Sequence, residues 1–134
     1  MPIEIGESKD ETTKILIVDD DSSVQNFLKT LLSGLFIDID VASDGFEAGK
    51  KIVQFKPDII ILDLFMPNMN GFEVCEKIRS DSSTRKIKIL ILSGHLTDEN
   101  KSKAFSSGAD AVLPKPSSKK EILNCVEKLL KANT

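Results

Sequence analysis

The chain has 134 residues, 18 basic and 21 acidic, and a net charge of −3. That length suits one domain, and Ile, Leu, Val and Phe supply about a third of it, above the roughly one-fifth below which composition predicts disorder. A spanning helix is excluded because no apolar run approaches about 18 residues, a signal peptide because no basic stretch precedes an apolar one at the N-terminus, and a broad nucleic-acid surface because the charge balance is slightly acidic.

Residues 1–13 carry Glu4, Glu7, Asp10 and Glu11 against Lys9. They account for the whole net charge and show no sustained periodicity, which predicts a mobile tail ahead of a neutral domain over residues 14–132. Cys75 and Cys125 are too few for a disulfide framework. Both fall on or near apolar helix faces and are expected as buried thiols of a cytoplasmic protein.

The first strand is Ile15-Leu16-Ile17-Val18, which ends in Asp19-Asp20-Asp21. Its unbroken apolar character predicts a parallel strand covered on both faces. Val24, Phe27, Leu28, Leu31 and Leu32 follow at helical spacing. Ile37-Asp38-Ile39-Asp40-Val41 alternates instead, as an edge strand with one wet face does. A second helix opens at Asp44, with Glu47 three residues on and an apolar stripe of Phe46, Gly49, Ile52 and Val53. Ile59-Ile60-Ile61-Leu62 ends in Asp63, and Asn68 to Gly71 form a turn into a third helix with Phe72, Cys75 and Ile78 inward. Ile89-Leu90-Ile91-Leu92 ends in Ser93. The fourth helix has only Ala104 and Phe105 as apolar residues, so it is expected to be the least firmly anchored. Ala111-Val112-Leu113 is a short fifth strand stopped by Pro114-Lys115-Pro116. The last helix opens on a capping box, Ser118 to Glu121, and carries Ile122, Val126, Leu129 and Leu130.

Five β-α units predict a doubly wound parallel sheet of flavodoxin-like type, (βα)5, with strand order 2-1-3-4-5 and the alternating strand at an edge. That topology brings Asp19, Asp20, Asp63, Ser93 and Lys115 to one rim, at the carboxyl ends of the strands. Carboxylates gathered there repel unless a cation sits among them, and an all-oxygen donor set suits Mg²⁺. A carboxylate beside Mg²⁺ and a lysine is equipped to attack a phosphoryl group.

The motifs Ile-Leu-Ile-Val-Asp-Asp at 15–20, Asp63-Leu-Phe-Met-Pro-Asn-Met-Asn-Gly71, Leu-Ser-Gly at 92–94 and Gly108-Ala-Asp-Ala-Val-Leu-Pro-Lys-Pro116 occur in order. Together they resemble the receiver domain of two-component response regulators over about residues 14–132. The resemblance implies that Asp63 is the phosphoacceptor. It implies that Mg²⁺ is held by Asp20, Asp63 and the Phe65 backbone carbonyl, with Asp19 acting partly through water. It also implies that Ser93 and Lys115 contact the phosphoryl group, and that the Lys115–Pro116 bond is cis. Phe65 and His95 occupy positions that flank the path of a hydrolytic water in the family. Val112 stands where many receivers carry the Tyr or Phe that swings inward on activation. The expected partners are a sensor histidine kinase or a histidine phosphotransfer protein as donor and a protein target downstream. The target would be switched through the face made by the fourth helix, fifth strand and fifth helix. Direct contact with nucleic acid or membrane is not expected, and the expected chain is a stand-alone receiver rather than an enzyme.

Three other readings compete. One is a receiver that binds partners without phosphorylation. Another is a flavoprotein of the same topology, although the three aspartates have the wrong charge for a flavin phosphate. The third is a phosphohydrolase with an Asp nucleophile, whose usual second Asp is Phe65 here. Alone, the aspartate run reads as a helix N-terminal cluster, and Asp21 is expected to be only a solvated or capping residue.

Overall fold

A computed structural model of the chain describes residues 12–34 and 37–132. The strands are β1 (Thr13–Val18), β2 (Ile37–Ala42), β3 (Ile59–Leu62), β4 (Phe65–Met66), β5 (Met69–Asn70), β6 (Lys88–Ser93) and β7 (Ala111–Pro114). The helices are α1 (Ser22–Leu32), α2 (Gly45–Phe55), α3 (Gly71–Ser80), α4 (Asp98–Ser107) and α5 (Lys119–Lys131). The main sheet is parallel, in the order β2-β1-β3-β6-β7. This is the expected flavodoxin-like order once the small β4–β5 hairpin, which no sequence pattern announced, is counted. The predicted mobile tail lies outside the described residues except for Thr12 and Thr13, and Thr13 already pairs with Ile37 in the sheet.

The apolar strand runs are buried on both faces because a helical layer covers each. Leu16, Val18, Ile60, Leu62, Ile89 and Ile91 pack with Ala48 of α2, Phe72, Cys75 and Ile78 of α3 and Ala104 of α4. Ile15, Ile17, Ile59, Ile61, Leu90 and Leu92 pack with Leu28 and Leu32 of α1 and Ile122, Val126 and Leu129 of α5. β2 lies at the edge; Asp38 is exposed, and Asp40 is ion-paired to Lys51 of α2 at 2.8 Å.

Local signals held at most helix starts. Asp21, Asp44, Asn70, Thr97 and Ser118 each cap a helix by accepting a backbone N–H, and Ser118 with Glu121 forms the full reciprocal box. The apolar stripe assigned to α2 is corrected. Phe46 is 80% exposed and Val53 67%, while Ala48 is buried and Ile52 and Phe55 are partly buried. The helix turns its small side chain inward because it lies close to the sheet and to the hairpin. A Cβ on Gly45 would already stand 3.2 Å from Met69 Cγ.

The hairpin has a close-approach reason for Gly71. Asn68 takes a left-handed φ of 59° after Pro67, which suits the third position of a type II turn. The chain folds back so that the Gly71 N–H donates to Leu64 O at 3.1 Å, and a Cβ there would lie 2.7 Å from Leu64 Cα. No helix among the described residues is long and apolar enough to cross a membrane.

Candidate functional site

Parallel pairing aligns the strand ends, so residues far apart in sequence meet at the carboxyl rim. The Asp19 N–H donates to Ala42 O at 3.1 Å, the Asp63 N–H to Val18 O at 3.0 Å and the Lys115 N–H to Ser93 O at 2.9 Å. Backbone bonds of β-sheet type therefore continue one residue past the strands and fix the three side chains. The Lys115–Pro116 peptide is cis, as expected.

Asp63 is buried, and both its oxygens are engaged. Oδ1 accepts from Ser93 Oγ at 2.9 Å and from the Phe65 N–H at 3.2 Å, and Oδ2 accepts from Lys115 Nζ at 3.1 Å. Lys115 also pairs with Asp19 Oδ2 at 2.7 Å, and Asp19 Oδ1 accepts the Asp21 N–H at 2.9 Å. Ser93 is fully buried, and Asp20 is exposed at the mouth.

The electrostatics follow from burial. Desolvation pushes the Asp19 carboxyl above the usual carboxylate range, and the bonds from Lys115 and the Asp21 N–H offset this only in part. Burial also acts to lower Lys115. The Asp19 hydrogen bond and the charges of Asp63 and Asp19 outweigh it and hold the ammonium above the ordinary lysine range. One carboxylate oxygen from each of Asp19, Asp20 and Asp63 lies within 4.8 Å of the others. A single ammonium cannot neutralise three carboxylates, so the cluster retains negative charge. Its oxygen-only donors fit a hard divalent cation such as Mg²⁺.

Around this centre the expected residues are placed as follows. Phe65, 43% exposed, meets His95 edge to face at 6.3 Å between ring centroids and Phe72 at 6.2 Å. His95 is an exposed loop residue. Val112 is half-buried and packs against the core layer of α2, α3 and α4. The Asp21 side chain caps α1 through the Ser23 N–H at 2.8 Å, while its backbone N–H holds Asp19. Sequence reasoning missed Gln25, whose amide donates to Asp19 O at 2.6 Å and to Ser43 Oγ at 3.0 Å. It ties the loop after β1 to the loop after β2, and a polar residue in a first helical turn gave no signal of that. Cys75 is buried, and burial pushes its thiol up to about 11; neither cysteine joins the cluster.

Known proteins resemble this chain in sequence and fold. The sequence model of the response regulator receiver domain matches residues 15–127. The DNA-binding dual master transcriptional regulator RpaA of Synechocystis is 37% identical over 118 residues, covering 88% of this chain and 49% of RpaA. Protein PilG of Pseudomonas aeruginosa is 31% identical over 121 residues, covering 90% of each chain. The chain thus spans about half the length of RpaA and of several other curated regulators that it matches. Among solved structures, the signal receiver domain of a DNA-binding response regulator from Colwellia psychrerythraea superposes with a TM-score of 0.84 at 33% identity, covering 89% of this chain and 98% of that one. With the fold, the acidic rim and these matches in agreement, the chain belongs to the receiver domain family of two-component response regulators.

Proposed function

We propose that Asp63 accepts a phosphoryl group from a phosphohistidine of a sensor histidine kinase or a histidine phosphotransfer protein. The observation that carries this reading is the double engagement of Asp63, by Ser93 Oγ at 2.9 Å and Lys115 Nζ at 3.1 Å. Both groups stand where the oxygens of an incoming phosphoryl group need donors. In the transfer, a carboxylate oxygen of Asp63 attacks phosphorus and the P–N bond breaks. The imidazole nitrogen leaves with the electron pair and takes up a proton, and an acyl phosphate remains on Asp63.

Asp20, Asp63 and the Phe65 carbonyl would hold Mg²⁺, with Asp19 acting partly through water. The ion, when bound, supplies charge neutralisation at the transferring oxygens. Lys115 releases Asp63 Oδ2 and pairs with the new phosphoryl oxygens, and Asp19 orients it while it does so. Ser93 follows the phosphoryl group with its hydroxyl. Its displacement, transmitted through the loop after β6, shifts the population of α4 conformers and alters the face formed by α4, β7 and α5 for a protein target. Val112 has no ring to swing, so this chain relies on the hydroxyl limb of the switch.

The experiment is a titration with beryllofluoride and Mg²⁺, followed by two-dimensional amide NMR. Saturable shifts at the rim and in α4, absent in Asp63→Asn, are expected. A wild type that ignores beryllofluoride would support a module that binds partners without phosphorylation.

A further inference from the structure

Helix α4 is held differently at its two ends. Its buried residues are Ala104 and Ser107, both in its second half. Gly108 then turns the chain at a φ of 119°, with its N–H directed to Ala104 O and Phe105 O, and the Ala109 N–H closes onto Ala104 O at 3.0 Å. Gly108 is covered by α3, because a Cβ there would lie 2.5 Å from Arg79 Cγ.

The Arg79 guanidinium continues the contact. Nε donates to Gly108 O at 3.0 Å, Nη1 to Arg85 O at 2.9 Å and to Ile87 O at 2.6 Å, and Nη2 to Asp110 Oδ2 at 2.7 Å. The same Asp110 oxygen accepts the Ile89 N–H at 2.8 Å. One side chain from α3 therefore joins the end of α4 to the beginnings of β6 and β7.

At the other end of α4 no side chain of another element donates or accepts a hydrogen bond among the described residues, and His95 only meets the Phe65 ring edge to face. Gly94, His95, Thr97, Asp98 and Glu99 are exposed, and Leu96 is the partly buried apolar residue of the loop. Thr97 Oγ1 accepts the Asn100 N–H at 3.0 Å, and the Asn100 amide donates to His95 O at 2.9 Å. Both bonds stay within the loop and the helix itself. Midway, Lys103 lies over the Phe72 ring at 4.5 Å.

We propose that Arg79 is a positioning residue that clamps the carboxyl end of α4 at Gly108. That end becomes a fixed pivot, and within α4 and the loop before it the response to phosphorylation is confined to residues 94–101. The proposal rests on the reading of Asp63 and Ser93 given above, and it adds where the motion stops. A planar guanidinium with four bonds in fixed directions resists both sliding and rotation of the segment it holds, which the point charge of a lysine does not do. The exposed, locally bonded end is the one that opens at low cost.

The test is hydrogen exchange by mass spectrometry on the whole chain, with and without beryllofluoride and Mg²⁺, for wild type, Arg79→Met and Arg79→Lys. In wild type, beryllofluoride is expected to change exchange in residues 94–101 and leave 105–110 as it was. Arg79→Met keeps an apolar stem over Gly108 and removes the fork. It should speed exchange in 105–110 by about tenfold before any activation and let the beryllofluoride response spread into 105–110, with Lys restoring little. Unchanged exchange at 105–110 in Arg79→Met would overturn the clamp, as would a wild-type response at 105–110 equal to that at 94–101. Absence of any beryllofluoride response would instead count against Asp63 as the acceptor, and the unactivated comparison would still decide on the clamp. If Arg79→Met does not fold, Asp110→Asn gives the same reading, because it removes the ion pair and leaves the three carbonyl bonds. A smaller speeding at 105–110 is then expected, and none would overturn the proposal.

Discussion

Lys115 Nζ meets Asp63 Oδ2 at 3.1 Å across 52 positions of sequence, and it meets Asp19 Oδ2 at 2.7 Å in the same place. One cation thus holds together the end of β1, the end of β3 and the loop after β7. Removing it leaves the Asp19 and Asp63 carboxylates close together with no other basic side chain paired to them among the described residues. Lys115→Met is therefore expected to lower stability in metal-free buffer by about 1–3 kcal/mol, less than for a fully buried pair because Lys115 is partly exposed. Mg²⁺ should recover most of that loss by binding the folded state. Thermal melts in chelator and in Mg²⁺ check this, and an equal loss in both would contradict it.

The Phe65 ring, two residues along the chain from Asp63, lies edge to face with His95 and Phe72. We expect it to hinder the water that hydrolyses the acyl phosphate, since a base or water must come within hydrogen-bond reach to act. Phe65→Asn should lose its phosphoryl group several-fold faster than wild type. Equal rates of autodephosphorylation would dispose of the idea.

Two glycine substitutions should act in opposite directions. Gly49 lies in the middle of α2 with open space where a Cβ would go, so Gly49→Ala should stabilise by about 0.5–1 kcal/mol. Gly71 is pressed against the Leu64 backbone, so Gly71→Ala should destabilise by about 1–3 kcal/mol and disturb the hairpin that follows Asp63. Urea unfolding of both variants distinguishes them.

Burial favours the protonated Cys75 thiol and raises it to about 11. With the folded value raised, the contribution to stability is present below the ordinary thiol range and is lost as pH rises through about 11. At neutral pH Cys75 should react with a thiol reagent only on unfolding, while the partly exposed Cys125 reacts first. Labelling of the native chain followed by peptide mapping reads the order directly.

Much of this was legible in the sequence because two strong rules agreed. β-Branched runs without alternation marked β1, β3 and β6 as central, and the alternation over 37–41 put β2 at the edge. Parallel topology alone then delivered Asp19, Asp63, Ser93 and Lys115 to one rim. The inner face of α2 was not legible, because Phe46 and Val53 outweigh Ala48 on any hydrophobic scale. Space between helix, sheet and Met69 decided it, and space is a tertiary quantity. The β4–β5 hairpin was hidden by strands of two residues each. Arg79 drew no attention in the sequence, since nothing local shows that its four acceptors lie on the two distant stretches 85–87 and 108–110.

The proposed chemistry requires one new bond, an acyl phosphate on Asp63. Incubation with acetyl phosphate and Mg²⁺, followed by intact-mass measurement, should give a single phosphoryl adduct on wild type, lost on chelation of Mg²⁺ before the reaction and absent from Asp63→Asn. Undiminished labelling of Asp63→Asn would contradict it.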